Sequence, residues 1–316
     1  MRVLVLILVC LVMVMSVGPH SVGPQDVAAQ DATSDSEMAP LMFDDFDYEA
    51  TDDEAFAENG WIVRAGEGWP GVPDAVWRAE NVSFLSDPDD AANTLLQMAS
   101  STDGTDTYQT QFCHQRKYYE GTYMARVRFS NAPETGPDGD QIVQTFYLIS
   151  PQQFDMDPDY SEHDYEYLPN GGWGMPGNVL FATSWETFQL EPWIADNTSG
   201  IRERDYEGWH TLMIRIAEDE VRYFVDGRSF ARHNAGFYPE VPMSINFNLW
   251  FINGGLLDDD EERTYVEWVD WVFFSEDTEL EPEDIEALVE TFRADDVTFT
   301  DTVPDWDPAL ESPCNF

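Results

Sequence analysis

Basic charge is what this chain lacks most. Only 15 of its 316 residues are Lys or Arg, with a single lysine (Lys117), against 62 Asp or Glu, so the formal net charge is −47. Such a surface repels the phosphates of nucleic acid and the headgroups of an anionic membrane, which argues against both as partners. There is no glycine-rich phosphate loop, and no Ser/His/Asp or Cys/His set has supporting context. Cysteine is scarce: of three, Cys10 lies in an N-terminal apolar run, which leaves Cys113 and Cys314. Those two are a candidate disulfide in an oxidising compartment, or two unrelated thiols. Beyond residues 3–15 no long hydrophobic run exists.

That run follows Arg2 and has the length and charge of a secretory leader, too short for a confident membrane span. Cleavage is expected near Gly18 or after Ala29, so residues 1–29 read as a signal peptide. Residues 30–40 read as a linker, and no membrane contact is expected after cleavage. High net charge alone would suit disorder. Here 43% of residues are hydrophobic and 14% aromatic, which points to a folded core under an acidic shell. Concentrated salt screens the self-repulsion of such a shell, so a salt-loving source is inferred.

Strand patterns dominate from residue 43 to 275. In 243–251 the odd positions Met243, Ile245, Phe247, Leu249 and Phe251 are apolar, whereas Ser244, Asn246, Asn248 and Trp250 form a polar and aromatic face. Residues 122–129 and 210–216 alternate likewise. Many short alternating strands argue an all-β sandwich. Residues 279–295 differ: Pro282 suits a helix's first turn, and Ile285, Leu288, Val289 and Phe292 make a helical stripe. The domain is therefore placed at 41–276, with a short helix and an extended tail over 277–316.

Residues 162–166 read Glu-His-Asp-Tyr-Glu. Side chains alternate along a strand, so Glu162, Asp164 and Glu166 project from one face. Three aligned acids repel each other and do nothing for stability. They do suit cleavage of a glycosidic bond, which needs a carboxylate nucleophile and a carboxylic acid proton donor. Four residues of strand span roughly 13 Å. Side-chain reach and curvature bring the carboxyl groups toward the separation of about 5–5.5 Å that goes with retention of anomeric configuration. Asp164, as a like charge, helps keep Glu166 protonated.

The motif, followed by Tyr167-Leu168-Pro169-Asn170-Gly171-Gly172-Trp173, resembles glycoside hydrolase family 16. Phe43-Asp44-Asp45-Phe46, Trp209-His210-Thr211, Val221 to Gly227, Asn248-Leu249-Trp250, Gly254-Gly255 and Val269-Asp270-Trp271-Val272 resemble further segments of that family in order. The likeness spans about residues 41–276. It implies a concanavalin A-like jelly roll of two antiparallel sheets with a cleft across the concave face. It also implies a secreted, retaining endo-β-glycosidase: Glu162 as nucleophile, Glu166 as general acid/base, Asp164 as the charge-tuning residue. A β-1,3- or β-1,3-1,4-glucan is the implied substrate. Agar or carrageenan cleavage, transglycosylation and a non-catalytic carbohydrate-binding module on the same sandwich stay open.

Trp173, Trp185 and Trp250 are candidates for stacking on sugar rings, with core packing as the other reading of each. Asn248 is a candidate hydrogen-bond partner for a sugar hydroxyl. Catalysis requires no cofactor, the expected partner is a polysaccharide, and a monomer is expected. The resemblance further implies one structural calcium on the convex side, with Asp270 among its oxygen ligands. Asp155-x-Asp157-x-Asp159 begins like a calcium loop but lacks its Gly and Glu, and Pro158 breaks it. His163 departs from the family's bulky aliphatic. By parity it faces the core, as a buried neutral histidine.

Overall fold

The computed structural model describes residues 38–312 and Cys314. The expected signal peptide, and the linker up to residue 37, lie outside the described residues. Two antiparallel sheets face each other. The first, here the cleft sheet, runs Trp61–Val63, Thr107–His114, Ser244–Phe251, Ile142–Ile149, Glu162–Leu168, Val179–Gln189, Ile194–Glu203. The outer sheet runs Val82–Ser86, Thr94–Thr102, Arg263–Ser275, Gly121–Phe129, Gly208–Ala217, Glu220–Val225, Arg228–His233. Leu41–Asp44 pairs with the end of Arg263–Ser275 and takes Phe299–Asp301 along its other edge.

The core lies between the sheets because each strand turns its apolar alternate residues inward. Phe146, Leu148, Phe247 and Leu249 of the cleft sheet meet Ala125, Val127, Leu212, Ile214 and Val272 of the outer sheet. The odd residues from Met243 to Phe251 are all buried, as their alternation predicts. Tyr165 crosses the core: its hydroxyl reaches the carbonyl oxygens of Phe224 (2.8 Å) and Met213 (3.0 Å). That crossing fixes which face of Glu162–Leu168 is inward and turns the three acids outward.

His163 is inward and buried. The Tyr223 hydroxyl donates to the Thr183 carbonyl, 2.8 Å away. The Ser184 hydroxyl, 2.7 Å from Tyr223, therefore donates to Tyr223 and accepts from Nδ1 of both His163 (3.0 Å) and His233 (2.8 Å). Burial lowers the two imidazole pKa values to about 3 and about 4, so both rings are neutral.

A helix, Pro282–Ala294, starts on its proline, with the Glu281 N–H donating to the Asp284 carboxylate (3.0 Å). Its stripe of Ile285, Leu288, Val289 and Phe292 covers Phe43, Met124, Trp271 and Phe273 on the outward face of the outer sheet. The tail then runs back as a strap. Lys117 donates to the Val303 carbonyl and pairs with Asp301 (2.7 Å) and Asp305 (3.0 Å). The strap ends at a Cys113–Cys314 disulfide, which settles the open alternative for these two thiols.

Candidate active site

Strand register places the acids at the centre of the cleft sheet. Glu162 lies between Ile149 and Trp185, Asp164 between Tyr147 and Thr183, and Glu166 between Thr145 and Phe181. Their side chains line a cleft of about 530 Å³. Asp164 is buried, and the two glutamates are half-buried at the floor.

The three carboxyls are not equivalent. The Tyr160 hydroxyl donates to Glu162 at 2.5 Å. The Trp185 indole donates to Asp164 at 2.9 Å. Burial pushes Glu162 up to about 7, against the pull of donors on Tyr160 and Asp164. Burial and the Glu162 charge push Glu166, which has no such donor, up to about 8. Asp164 is held well above the usual carboxylate range, first by burial and then by both glutamates. It is thus a proton donor to Glu162, and the charge that raises Glu166 is that of Glu162. The donors on Glu162 and the lack of one on Glu166 favour charge on Glu162 over charge on Glu166.

Aromatic walls stand on both sides. Next to Glu166, the Trp173 ring lies 6.1 Å from Trp250 and 5.5 Å from Phe181. Trp173 is 48% exposed and lines the cleft. Next to Glu162, Trp185 packs against Phe188 (6.0 Å) and Trp193 (6.2 Å), with Trp69 6.0 Å from Phe188. Trp185 is anchored here through Asp164. Asn248 also lines the cleft, but its amide is engaged: it donates to the Tyr147 hydroxyl (3.2 Å) and accepts from Thr145 (2.8 Å).

The sequence reading missed Trp69, Tyr147, Tyr160 and Trp193. Tyr160 carries the one recoverable signal, since it precedes Glu162 by two and shares its parity. Trp69 and Trp193 come from loops whose course no periodicity encodes. Arg64, fully buried, positions one of them by donating to the Trp69 carbonyl (2.9 Å) while stacking on Trp77.

The calcium expectation does not fit this chain. Asp270 is fully buried; its Oδ2 is held by Arg126 (2.5 Å), its Oδ1 by Asn93 (2.7 Å) and Arg293 (2.8 Å). Two guanidinium groups stand where a cation would bind. The Asp157 carboxylate accepts from the Gln153 and Asp159 amides, so it closes its own loop. Among the described residues no group of three His, Cys, Asp or Glu is placed to hold a metal ion.

Solved structures share the fold. A β-glucanase from Bacillus licheniformis aligns with a TM-score of 0.54 and 16% identity, over 75% of this chain and 98% of its own. A laminarinase from Flavobacterium sp. UMI-01 aligns with a TM-score of 0.52 and 16% identity, over 74% and 98%. A β-1,3-1,4-glucanase (lichenase) from a mouse hindgut metagenome aligns with a TM-score of 0.53 and 18% identity, over 75% and 100%. Comparison with curated proteins gives no match. Residues 73–270 match the family described as Glycosyl hydrolases family 16, and the chain belongs to that family.

Proposed function

We propose that this glycoside hydrolase is a retaining endo-β-glycosidase that cleaves an uncharged β-1,3- or β-1,3-1,4-glucan. The observation that carries the proposal is the asymmetry of the cleft floor: Glu162 has hydrogen-bond donors and Glu166 has none. Glu162, ionised, attacks the anomeric carbon. The glycosidic C–O bond breaks, and its oxygen takes the proton from Glu166. A glycosyl ester on Glu162 results. Glu166, now a carboxylate, takes a proton from water as the water oxygen attacks the same carbon and Glu162 leaves. Asp164, keeping its own proton, donates a hydrogen bond to the Glu162 carboxylate and so favours the ionised form of Glu162.

Two observations support the substrate class. The residues lining the cleft include no Lys, Arg or His. A sulfated galactan would bring sulfate esters against carboxylates with no cation to meet them. Three of the similar structures are named β-glucanase, lichenase and laminarinase. A pure binding module is disfavoured, because it gains nothing from three carboxyl groups crowded on one cleft floor with raised pKa values. Secretion follows the leader-like residues 1–29; no helix among the described residues is long and apolar enough to cross a membrane.

The test is release of reducing ends from laminarin, mixed-linkage glucan, agarose and carrageenan in molar salt, beside Glu162→Gln. Release from the glucans by the wild type only, with a β-anomer as the first product by NMR, is expected. Binding without release would favour the module, and release from carrageenan would overturn the uncharged-substrate reading.

A further inference from the structure

We propose that Arg293 is a built-in cation: its guanidinium fills a latent calcium site on the outer sheet, and removing it makes the fold calcium-dependent. Arg293 sits in the last turn of the helix Pro282–Ala294. Three side-chain oxygens from three separate segments converge on its Nη2. They are Asp45 Oδ1, Asp270 Oδ1 at 2.8 Å and Asn93 Oδ1 at 3.2 Å. Nε lies 2.9 and 3.1 Å from the two Asp45 oxygens. Convergence of hard oxygens from distant segments on one positive centre is the arrangement of a structural cation site.

The charges balance only with arginine present. Asp45 and Asp270 face Arg293 and Arg126, two against two. Without Arg293 a buried carboxylate loses its partner, which is strongly unfavourable. Calcium replaces the lost positive charge and, with Arg126 still in place, exceeds the two carboxylates by one; both Asp45 oxygens, Asp270 Oδ1 and Asn93 Oδ1 are ligands of the right hardness, and water completes the shell. The helix C-terminus adds its own preference for a cation at this place. The site is independent of the cleft, so the proposal stands or falls apart from the enzymatic reading.

The experiment is thermal melting of the full chain, wild type and Arg293→Ala, in molar NaCl with EDTA, 1 mM CaCl₂ or 1 mM MgCl₂. The wild type is expected to melt alike in all three. Arg293→Ala is expected to melt lower in EDTA and to regain about 5–10 °C in calcium, selectively over magnesium, for a site loaded to about a hundred times its Kd. The Asp45→Asn/Arg293→Ala variant, with one carboxylate fewer, is expected to fold in EDTA and to lack the calcium response. A wild type destabilised by EDTA overturns the proposal. So does an Arg293→Ala variant whose calcium shift equals the wild type's, or one that stays unfolded with and without calcium.

Discussion

The hydroxyl of Tyr160 donates to the Glu162 carboxylate, and the two residues share the cleft face because they are two positions apart. A donor to the charged form lowers a carboxyl pKa. Tyr160→Phe is therefore expected to raise Glu162 above its value of about 7. The acid limb of the kcat/KM profile moves up by about one unit, the worth of one charge-assisted hydrogen bond. The alkaline limb, set by Glu166 at about 8, stays in place, so the bell narrows and loses height. An acid limb that does not move would show that Tyr160 does not tune Glu162.

Glu166 has a second consequence, for stability. Its pKa is about 8 in the fold, raised by burial and by Glu162, against 4.5 as the ordinary value. Between those values the native state holds the proton more tightly than the unfolded chain, so this group's contribution is present below about 4.5 and lost as pH rises toward 8. Glu166→Gln cannot ionise. It is expected to lose activity by about 10²–10⁴-fold yet to melt higher than the wild type at pH 8, with the gap closing near pH 5. Melting curves at the two pH values decide it; equal melting at pH 8 would contradict a strained, protonated Glu166.

Much of this was legible in the sequence. The acids at 162, 164 and 166 and the odd residues from 243 to 251 obey a period of two, and that period alone assigns cleft and core faces. The helix stripe from Ile285 to Phe292 was equally plain. Asp270 was misread: its segment announces an acid on the outer sheet, but its partner Arg293 is 23 residues away on a docked helix. Trp69 and Trp193 were missed for a related reason. Loops bring them to the cleft, and their course depends on contacts such as Arg64 to the Trp69 carbonyl.

Asp140 and Arg263 form an ion pair with both side chains fully buried, at 2.7 Å (Nε to Oδ2) and 2.8 Å (Nη2 to Oδ1). Arg263 also donates to the carbonyls of Asp259 and Glu261, and the Leu257 amide donates to Asp140. The pair thus pins the loop that follows Ile252 and Asn253, both of which line the cleft. Asp140→Asn leaves a buried guanidinium short of charge. A loss of about 3–5 kcal/mol in chemical unfolding is expected, with a raised KM as the loop loosens. A loss below 1 kcal/mol would mean the carbonyl oxygens alone satisfy Arg263.

The disulfide joins residues 201 apart in sequence. Closing so long a loop removes much freedom from the unfolded chain, worth about 5 kcal/mol in the chain-entropy picture and commonly less in practice. Cys113→Ser/Cys314→Ser is expected to unfold with a free energy about 2–5 kcal/mol lower. The strap would still hold partly through Lys117 and its two aspartates. Unchanged stability in the double variant, with wild-type thiols confirmed as paired by alkylation and mass, would show that the closure contributes nothing.

The net charge of −47 gives the broadest prediction. The cations are few, and Arg222 and Arg232 both serve the one acid Glu220, so most surface acids have no cationic partner and face one another across water. The range of that repulsion falls from about 10 Å in 0.1 M salt to about 3 Å in 1 M. Melting temperature should therefore rise steeply with NaCl up to roughly 1 M and then flatten, because screening is by then shorter than the spacing of surface charges. Sucrose, which is excluded from the surface without screening, should not reproduce the steep phase. A melting temperature unchanged between dilute buffer and molar salt would refute a fold dependent on salt, and an equal rise in sucrose would assign the effect to exclusion instead of charge.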